Sequence, residues 1–314
     1  MTPSLSPAVN QFLNGLARLQ DTVTSATSRL SSGYKINQPS DAPDLISPLL
    51  DLQARQRHNE VKVSNLSRVQ LEVSTADQAV SSALQLLDAA RTLGAQGANG
   101  TTSDATRAGL AQQVQSLQSQ LVALSNTNAA GRYVFSGDDD SSPAYRLNLS
   151  QAPSDPQNGV DRLITAPMSA TRQIELVGHS FLSVDQSAQD LFDHRNADDT
   201  LATDNVFAAL NSLRIALATP DNQAGIITAQ ASVQAAADYL NSKQSAYGTV
   251  QNRITTAVSQ LKSGIVDLKQ QISALRETDI VQTALELTAA ETQTQAAMAA
   301  EAKIPHTSLF DFLG

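Results

Sequence analysis

The residues predict a mainly α-helical fold, an elongated antiparallel helical bundle or coiled coil with one small β-rich inserted domain. Three observations carry this prediction. Apolar residues recur at spacings of three and four on both sides of a central segment, the mark of helices that bury one stripe. Between the two helical halves, from Gly131 to about Phe181, short β-branched or aromatic runs alternate with Asp, Ser, Pro and Gly, as strands and turns do. Finally, the 314-residue chain is 41% hydrophobic but only 4% aromatic, with no Trp. Seams of Ala, Leu, Val and Ile suit slender bundles better than a thick core.

In chain order, Val9, Phe12, Leu16, Leu19, Val23, Ala26 and Leu30 form the first stripe. The loop SSGYKINQPSDAPD follows, where Gly33, Pro39 and Pro43 are expected to end the helix. A second stripe runs through Leu66, Val69, Val73, Ala76, Val80, Ala83, Leu87 and Ala90. Gly94, Gly97 and Gly100 are expected to break it, and Ser103 or Asp104 to cap a restart. The third stripe is Leu110, Val114, Leu117, Leu121 and Leu124.

The runs YVFSG, YRLNL, DRLIT and RQIELV then predict about four to six strands. Helical spacing returns at Val206, Leu210, Leu213 and Leu217 and stops at TPDNQAG. The longest stripe extends from Val233 to Leu275, with Gln244 and Gln251 expected at its solvent edge. A continuous helix from Asn222 to Leu275 would measure roughly 80 Å at 1.5 Å per residue. An Ala-rich helix from about Asp279 to Lys303 stops at Pro305, and the tail SLFDFLG ends the chain. The expected organisation is a terminal assembly segment (1–45), a helical rod (46–131), a β-rich outer domain (132–182), the returning rod (183–278) and a second terminal assembly segment (279–314).

Composition narrows function. The net charge is −9, so no basic surface is available to release counterions from a nucleic acid. No run approaches the ~18–20 apolar residues of a membrane helix, which predicts a soluble chain with no membrane partner. The opening MTPSLSPAVNQFLNGLARL shows no basic stretch followed by an apolar one, so a cleaved secretory signal is not visible. Cysteine is absent, which removes disulfides, thiolate nucleophiles and Cys-based metal sites. The histidines His58, His179, His194 and His306 share no ligand spacing and are expected to be structural or solvated. Asp138, Asp139 and Asp140 read as a solvated turn, and Asp198 with Asp199 as the flank of a helix N-terminus. With no nucleotide, nucleophile or metalloprotease motif, the expectation is no enzyme, no cofactor and no metal.

The ends are more informative. Phe12 with its aliphatic neighbours, and Leu309, Phe310, Phe312 and Leu313 in the tail, are apolar surfaces that two thin helices cover poorly. The candidate assembly interface is therefore Val9, Phe12, Leu16, Leu19, Val23, Leu30, Leu309, Phe310, Phe312 and Leu313. Contacts of this kind between different faces build rings or helical tubes, with the ends ordering as the subunit assembles.

Beyond this, TSRLSSGYKINQPSDAPDLI resembles the N-terminal signature of the flagellin and flagellar hook-associated proteins, in which a helix ends in an LS-x-G-x-(K/R)-(I/V) turn. NGTTSDATRAGLAQQVQSLQSQL followed by AAGRYVFSGDDDSSPAY resembles the family's next region, and ETDIVQTALELTAAETQTQAAMAAEAKI its C-terminal helices more loosely. The resemblance picks out a motif turn at Arg29, Ser31, Gly33, Pro39 and Asp41. It also picks out a lead-in to the β domain at Gly131, Tyr133, Phe135 and Gly137. Gln38-Pro39-Ser40-Asp41-Ala42-Pro43 is similar to the P-S-D-D-P form of the hook–filament junction members, with Ala42 in place of the second Asp. A filament subunit of the flagellin type is the alternative. The resemblance implies export through the flagellar type III channel with a cytoplasmic chaperone. It further implies a ring-like layer of copies between a neighbouring hook-associated protein and flagellin, in an extracellular structural role.

Overall fold

The computed structural model describes residues 7–149, 159–164, 168, 170–184 and 186–301. Among them are seven α-helices and six short strands: α1 (Pro7–Ser32), α2 (Pro43–Ala98), α3 (Asp104–Ser125), β1 (Asn128–Ala129), β2 (Arg132–Tyr133), β3 (Tyr145–Leu147), β4 (Val160–Arg162), β5 (Gln173–Glu175), β6 (Phe181–Ser183), α4 (Ala188–Phe192), α5 (Val206–Ala218), α6 (Gln223–Arg276) and α7 (Ile280–Glu301). Two compact units result, one from residues 61–262 and one from residues 1–60 with 263–314; α2 and α6 contribute to both.

In the 61–262 unit, the stripes read from the sequence form the core. Val80, Ala83, Leu87 and Ala90 of α2, Val114 and Leu121 of α3, and Val233, Leu240 and Ile254 of α6 are fully buried. These residues follow a spacing of alternating three and four, which keeps one seam facing its partner along the helix. Gln244 and Gln251 are half-buried at the seam's edge. The helix starts are built by side chains: Ser103 accepts the Thr106 N–H, Ser187 that of Asp190, and Asn205 that of Ala208, each satisfying a donor the first turn leaves open.

Three expectations fail here, each for a local reason. Gly94 and Gly97 do not break α2, which continues to Ala98. They are contact glycines: a Cβ on Gly97 would lie 2.1 Å from Leu217 Cδ2, and one on Gly94 2.8 Å from Gln230 Cγ. Their missing side chains let α5 and α6 approach. Pro43, expected to end a helix, instead starts α2, where its fixed φ fits and its missing N–H costs nothing. Asp198 and Asp199 do not flank a helix start. Asp198 accepts from Thr200, Asp199 has φ +62, and both lie in the turn before Asn205 caps α5.

The β-rich segment is three separate two-stranded antiparallel hairpins, β1–β2, β3–β4 and β5–β6. In the first, Ala129 pairs with Arg132, and the intervening Ala130 and Gly131 have φ +54 and +86, the type I′ turn that matches strand twist. Gly159, at φ +75, leads into β4 where a Cβ would meet Gln118 Nε2 at 2.5 Å. The β5–β6 hairpin is tied to α2 by Lys62–Glu175 at 3.2 Å and Arg172–Glu72 at 2.6 Å.

A buried carboxylate organises the rest of the segment. Asp193 is fully buried and accepts from Tyr145 Oη (3.0 Å), Arg162 Nε (2.8 Å), Arg195 Nε (3.2 Å) and Asn205 Nδ2 (2.8 Å). Two guanidiniums and two neutral donors from four places in the chain thus compensate one desolvated charge. Burial, and then the adjacent Asp193 charge, push the Tyr145 hydroxyl well above the usual phenol range. Beside the cluster, Phe192 meets Phe135 edge to face at 5.5 Å and Phe207 at 6.0 Å. His194 bonds Asp204 at 2.6 Å and stacks on Tyr239 at 4.5 Å, while His58 is exposed; the His179 side chain and His306 lie outside the described residues.

Two outcomes follow. Asp193→Ala removes the buried acceptor shared by two half-buried guanidiniums, Tyr145 and Asn205, and should destabilise by about 2–4 kcal/mol in urea unfolding. Ala130→Asn, which adopts positive φ more readily, should stabilise by roughly 0.5–1 kcal/mol in the same assay.

Candidate functional site

The unit formed by residues 1–60 and 263–314 carries the family-like turn and the predicted assembly residues. Its described core is small: Ala26, Ile36, Leu49, Ile265 and Ala290 are buried, with Thr283 the buried polar residue. Here α1 packs on α7. Arg29 of α1 pairs with Glu286 of α7 at 3.1 Å. Nearer the chain's start, Val23 lines one shallow groove with Glu291, Thr294 and Gln295. The helices therefore run antiparallel.

The stripe predicted from spacing is the one turned to α7, but two helices cover it incompletely. Ala26 is fully buried, Phe12, Leu16, Leu19, Val23 and Leu30 are half-buried, and Val9 is 39% exposed. Leu309, Phe310, Phe312 and Leu313 lie outside the described residues, as do Lys303 and Pro305.

On α7, the 3.6-residue period sets Thr283, Leu287, Ala290 and Thr294 on the face toward α1. Val281 and Leu285 lie roughly opposite and are 72% and 62% exposed. On the Val281 and Leu285 side, the hydroxyls of Thr288 and Thr292 each donate to the carbonyl four residues back, at 2.8 Å, which takes them out of play as hydrogen-bonding groups for a neighbour. This helix is apolar on two opposite sides.

The turn after α1 is built to hold the start of the chain to its end. Gly33, at φ +75, donates its N–H to the Arg29 carbonyl at 2.9 Å, the left-handed cap that glycine adopts without penalty. Nothing would crowd a Cβ there, so conformation rather than space requires the glycine. Directly afterwards Tyr34 pairs with Glu277 as an antiparallel bridge. Lys35 N–H donates to Arg276 O at 2.8 Å and Thr278 N–H to Gly33 O at 3.0 Å. The Arg276 guanidinium sits 3.9 Å over the Tyr34 ring, a cation–π contact. Ile36 is buried beneath.

Pro39 opens a short 3-10 turn that Asp41 closes. One Asp41 carboxylate oxygen accepts the Asn37 and Gln38 N–H groups at 2.8 and 2.9 Å. These backbone bonds, Gln38 first and then Asn37, hold the carboxyl below the usual aspartate range. Ser31 is exposed, and the neighbouring Ser32 hydroxyl is the one that accepts the Tyr34 N–H, at 3.1 Å. Across the break, Asp279 caps α7 by accepting the Gln282 N–H at 3.0 Å.

The sequence-predicted turn residues are thus brought together, but half of the lock was missed. Tyr34, Lys35, Arg276, Glu277, Thr278 and Glu286 complete it. The available signal was the run Arg276-Glu277-Thr278-Asp279, a charged interruption with a helix cap and neither Gly nor Pro.

In the lead-in to the β-rich segment, Gly131 and Gly137 hold positive φ and Phe135 is fully buried. Tyr133 is half-buried in β2, its N–H donating to Asp140 O at 2.8 Å, and Arg132 pairs with Asp140. Asp138 is not merely solvated: it accepts the Thr171 N–H and hydroxyl at 3.0 and 3.2 Å. Among the described residues no group of three His, Cys, Asp or Glu is placed to hold a metal ion, and no helix is long and apolar enough to cross a membrane.

Paired terminal helices, a glycine-capped turn that holds them together and a β-rich insertion between the helical halves define a class of helix-built structural subunit. The N-terminal helical region of bacterial flagellin matches residues 6–140 and the C-terminal helical region matches residues 230–313; the chain belongs to the flagellin family. Within that family it is similar to flagellar hook-associated protein 3 of Escherichia coli, 26% identical over 81% of this chain and 78% of the relative. Flagellin D of Vibrio anguillarum is 31% identical, but over only 38% of this chain and 31% of its own length. A solved putative flagellar hook-associated protein from Vibrio parahaemolyticus shares the fold with a TM-score of 0.62 and 17% identity, covering 76% of this chain and all of its own.

Asp41→Asn should weaken the lock at neutral pH. Because the folded-state pKa is depressed, the carboxylate's contribution is present above the unfolded value of 3.8 and is lost as pH falls through the folded one. Thermal unfolding of the two proteins should differ at pH 7 and converge on acidification below 3.8; a constant difference would assign Asp41 another role.

Proposed function

We propose that this chain is a structural, non-catalytic subunit of the bacterial flagellum, an adaptor at the hook–filament junction that assembles through its terminal helices. The observation that carries this reading is α7, apolar on two opposite sides, one against α1 and the other bearing Val281 and Leu285 at 72% and 62% exposure. An exposed apolar face on a helix that already has a partner is a surface for a further subunit. The incompletely covered α1 stripe, from Val9 to Leu30, has the same character, and the apolar residues Leu309, Phe310, Phe312 and Leu313 of the C-terminal sequence complete the proposed interface.

In this reading copies form a ring-like layer between a neighbouring hook-associated protein and flagellin. They arrive through the flagellar type III channel with a cytoplasmic chaperone and act outside the cell. The junction role is preferred to a filament subunit because similarity to hook-associated protein 3 runs through 81% of the chain, whereas similarity to flagellin D stops at 38%.

Two measurements test this. Incubated with short flagellar seeds under conditions that polymerise flagellin, the purified protein should cap seed ends and then support flagellin growth. Long filaments of the chain itself, seen by electron microscopy, would make it a filament subunit. Leu285→Asp and Phe310→Asp should leave monomer helicity unchanged while abolishing capping and motility; variants that still restore motility would overturn the terminal-helix interface.

A further inference from the structure

The turn that joins α2 to α3 begins with an Asn-Gly pair that the assembly surfaces do not use. Asn99 and Gly100 are both exposed. Asn99 Oδ1 accepts the Thr101 N–H at 3.2 Å and the Thr101 hydroxyl at 3.0 Å. A side chain that reaches two residues forward in this way folds over the peptide between. The Asn99 carboxamide carbon therefore lies on the side of the Gly100 nitrogen, and one bond between them would close a cyclic imide. That nitrogen is open to solvent. Its N–H meets no backbone acceptor among the described residues, and a Cβ on Gly100 would find nothing nearer than Gln223 Nε2 at 3.9 Å.

The same dipeptide occurs at Asn14-Gly15, also exposed, and shows what the turn adds. Both of those residues lie inside α1. There the helix engages the Gly15 N–H with the carbonyl four residues back. It also tilts the Asn14 side chain toward the helix N-terminus, away from the Gly15 nitrogen. The two pairs share sequence and exposure, but only the α2–α3 turn presents nucleophile and carbonyl to each other. A third pair, Asn158-Gly159, starts outside the described residues.

We propose that Asn99 is a self-modifying site, whose carboxamide is converted to a carboxylate through a cyclic imide with Gly100. Hydroxide removes the Gly100 N–H proton, and the nitrogen's electron pair forms a bond to Asn99 Cγ as the carbonyl π electrons move onto Oδ1. The two Thr101 donors already bonded to Oδ1 stabilise that oxyanion. Collapse breaks the Cγ–Nδ2 bond, and the departing nitrogen takes a proton from water and leaves as ammonia, which regenerates hydroxide. A second water opens the imide at either carbonyl, giving an aspartyl or an isoaspartyl linkage at this position. The isoaspartyl product carries the main chain through Cβ, one methylene longer, and either product adds one negative charge. The change falls where Thr102 donates its N–H to Asn99 O at 3.0 Å and its hydroxyl to Gln96 O at 2.8 Å, directly before the Ser103 cap of α3. The α2–α3 connection thus alters in charge and path with time after folding.

The test follows the folded full chain in mildly alkaline buffer, with peptide mapping by mass spectrometry at intervals. Asn99 should convert about tenfold or more faster than Asn14, with an isoaspartyl fraction that a protein-isoaspartate methyltransferase labels. In urea, where neither pair keeps its backbone arrangement, the two should convert at similar rates. Thr101→Ala, at an exposed position, removes one of the two donors to Oδ1 and should slow Asn99 about three- to tenfold. Gly100→Ala, for which the turn has room and no left-handed φ is required, should slow it at least as much by shielding the nitrogen. Both variants should unfold like the parent. Three results overturn the assignment: Asn14 keeping pace with Asn99 in the folded chain, Asn99 unchanged over the time in which the urea-unfolded chain converts, or Thr101→Ala converting at the parent's rate or faster.

Discussion

The short backbone pairing between Gly33–Lys35 and Arg276–Thr278 is the constraint on which the terminal part of the molecule depends. Three residues from each side, far apart in sequence, exchange two backbone hydrogen bonds at the point where α1 has just ended and α7 is about to begin. Closing so long a loop is entropically unfavourable, so the junction needs more than a pair of bonds. The Arg276–Tyr34 contact and buried Ile36 reinforce it on one side, and the Asp41-capped turn stiffens it on the other. Once it is closed, the antiparallel alignment of α1 with α7 follows, and Arg29 meets Glu286.

The 61–262 unit solves a different problem with a different device. Its hairpins are too short to be stable alone, and the β5–β6 hairpin is held against α2 by two ion pairs. A single buried charge orders another part: Asp193 gathers β3, β4, the turn before α5 and the α5 cap around one carboxylate. Four aromatic residues of a chain poor in them are placed here, Phe135, Phe192, Phe207 and Tyr145, all buried. Such a cluster specifies one arrangement because each donor has one place to go.

How much of this was legible in the sequence depended on the range of each interaction. The heptad stripes of α2, α3 and α6 were plain, since spacing alone determines which residues share a helix face. The restart at Ser103 or Asp104 was equally legible, and Ser103 is the residue that caps α3. Gly94 and Gly97 were misread because a glycine that ends a helix and one that admits a neighbouring helix look alike until Leu217 and Gln230 are in place. Asp198 and Asp199 were misread because a pair of acids fits a helix start and a turn equally well. Nothing local to Asp193 distinguishes it from its exposed counterparts. The candidate site was half visible: Arg29, Gly33, Pro39 and Asp41 stand together in the chain, whereas the residues they lock against lie some 240 positions later.

The back-bonded threonines of α7 bear on how such a helix treats its neighbours. A hydroxyl turned onto its own backbone is no longer a directional hook, so the surface offers shape but little that fixes a partner at one point along the axis. Sliding by a small step then breaks few bonds, as between two greased rails. A contact made through such a face is governed by shape along the whole helix rather than by any single bond.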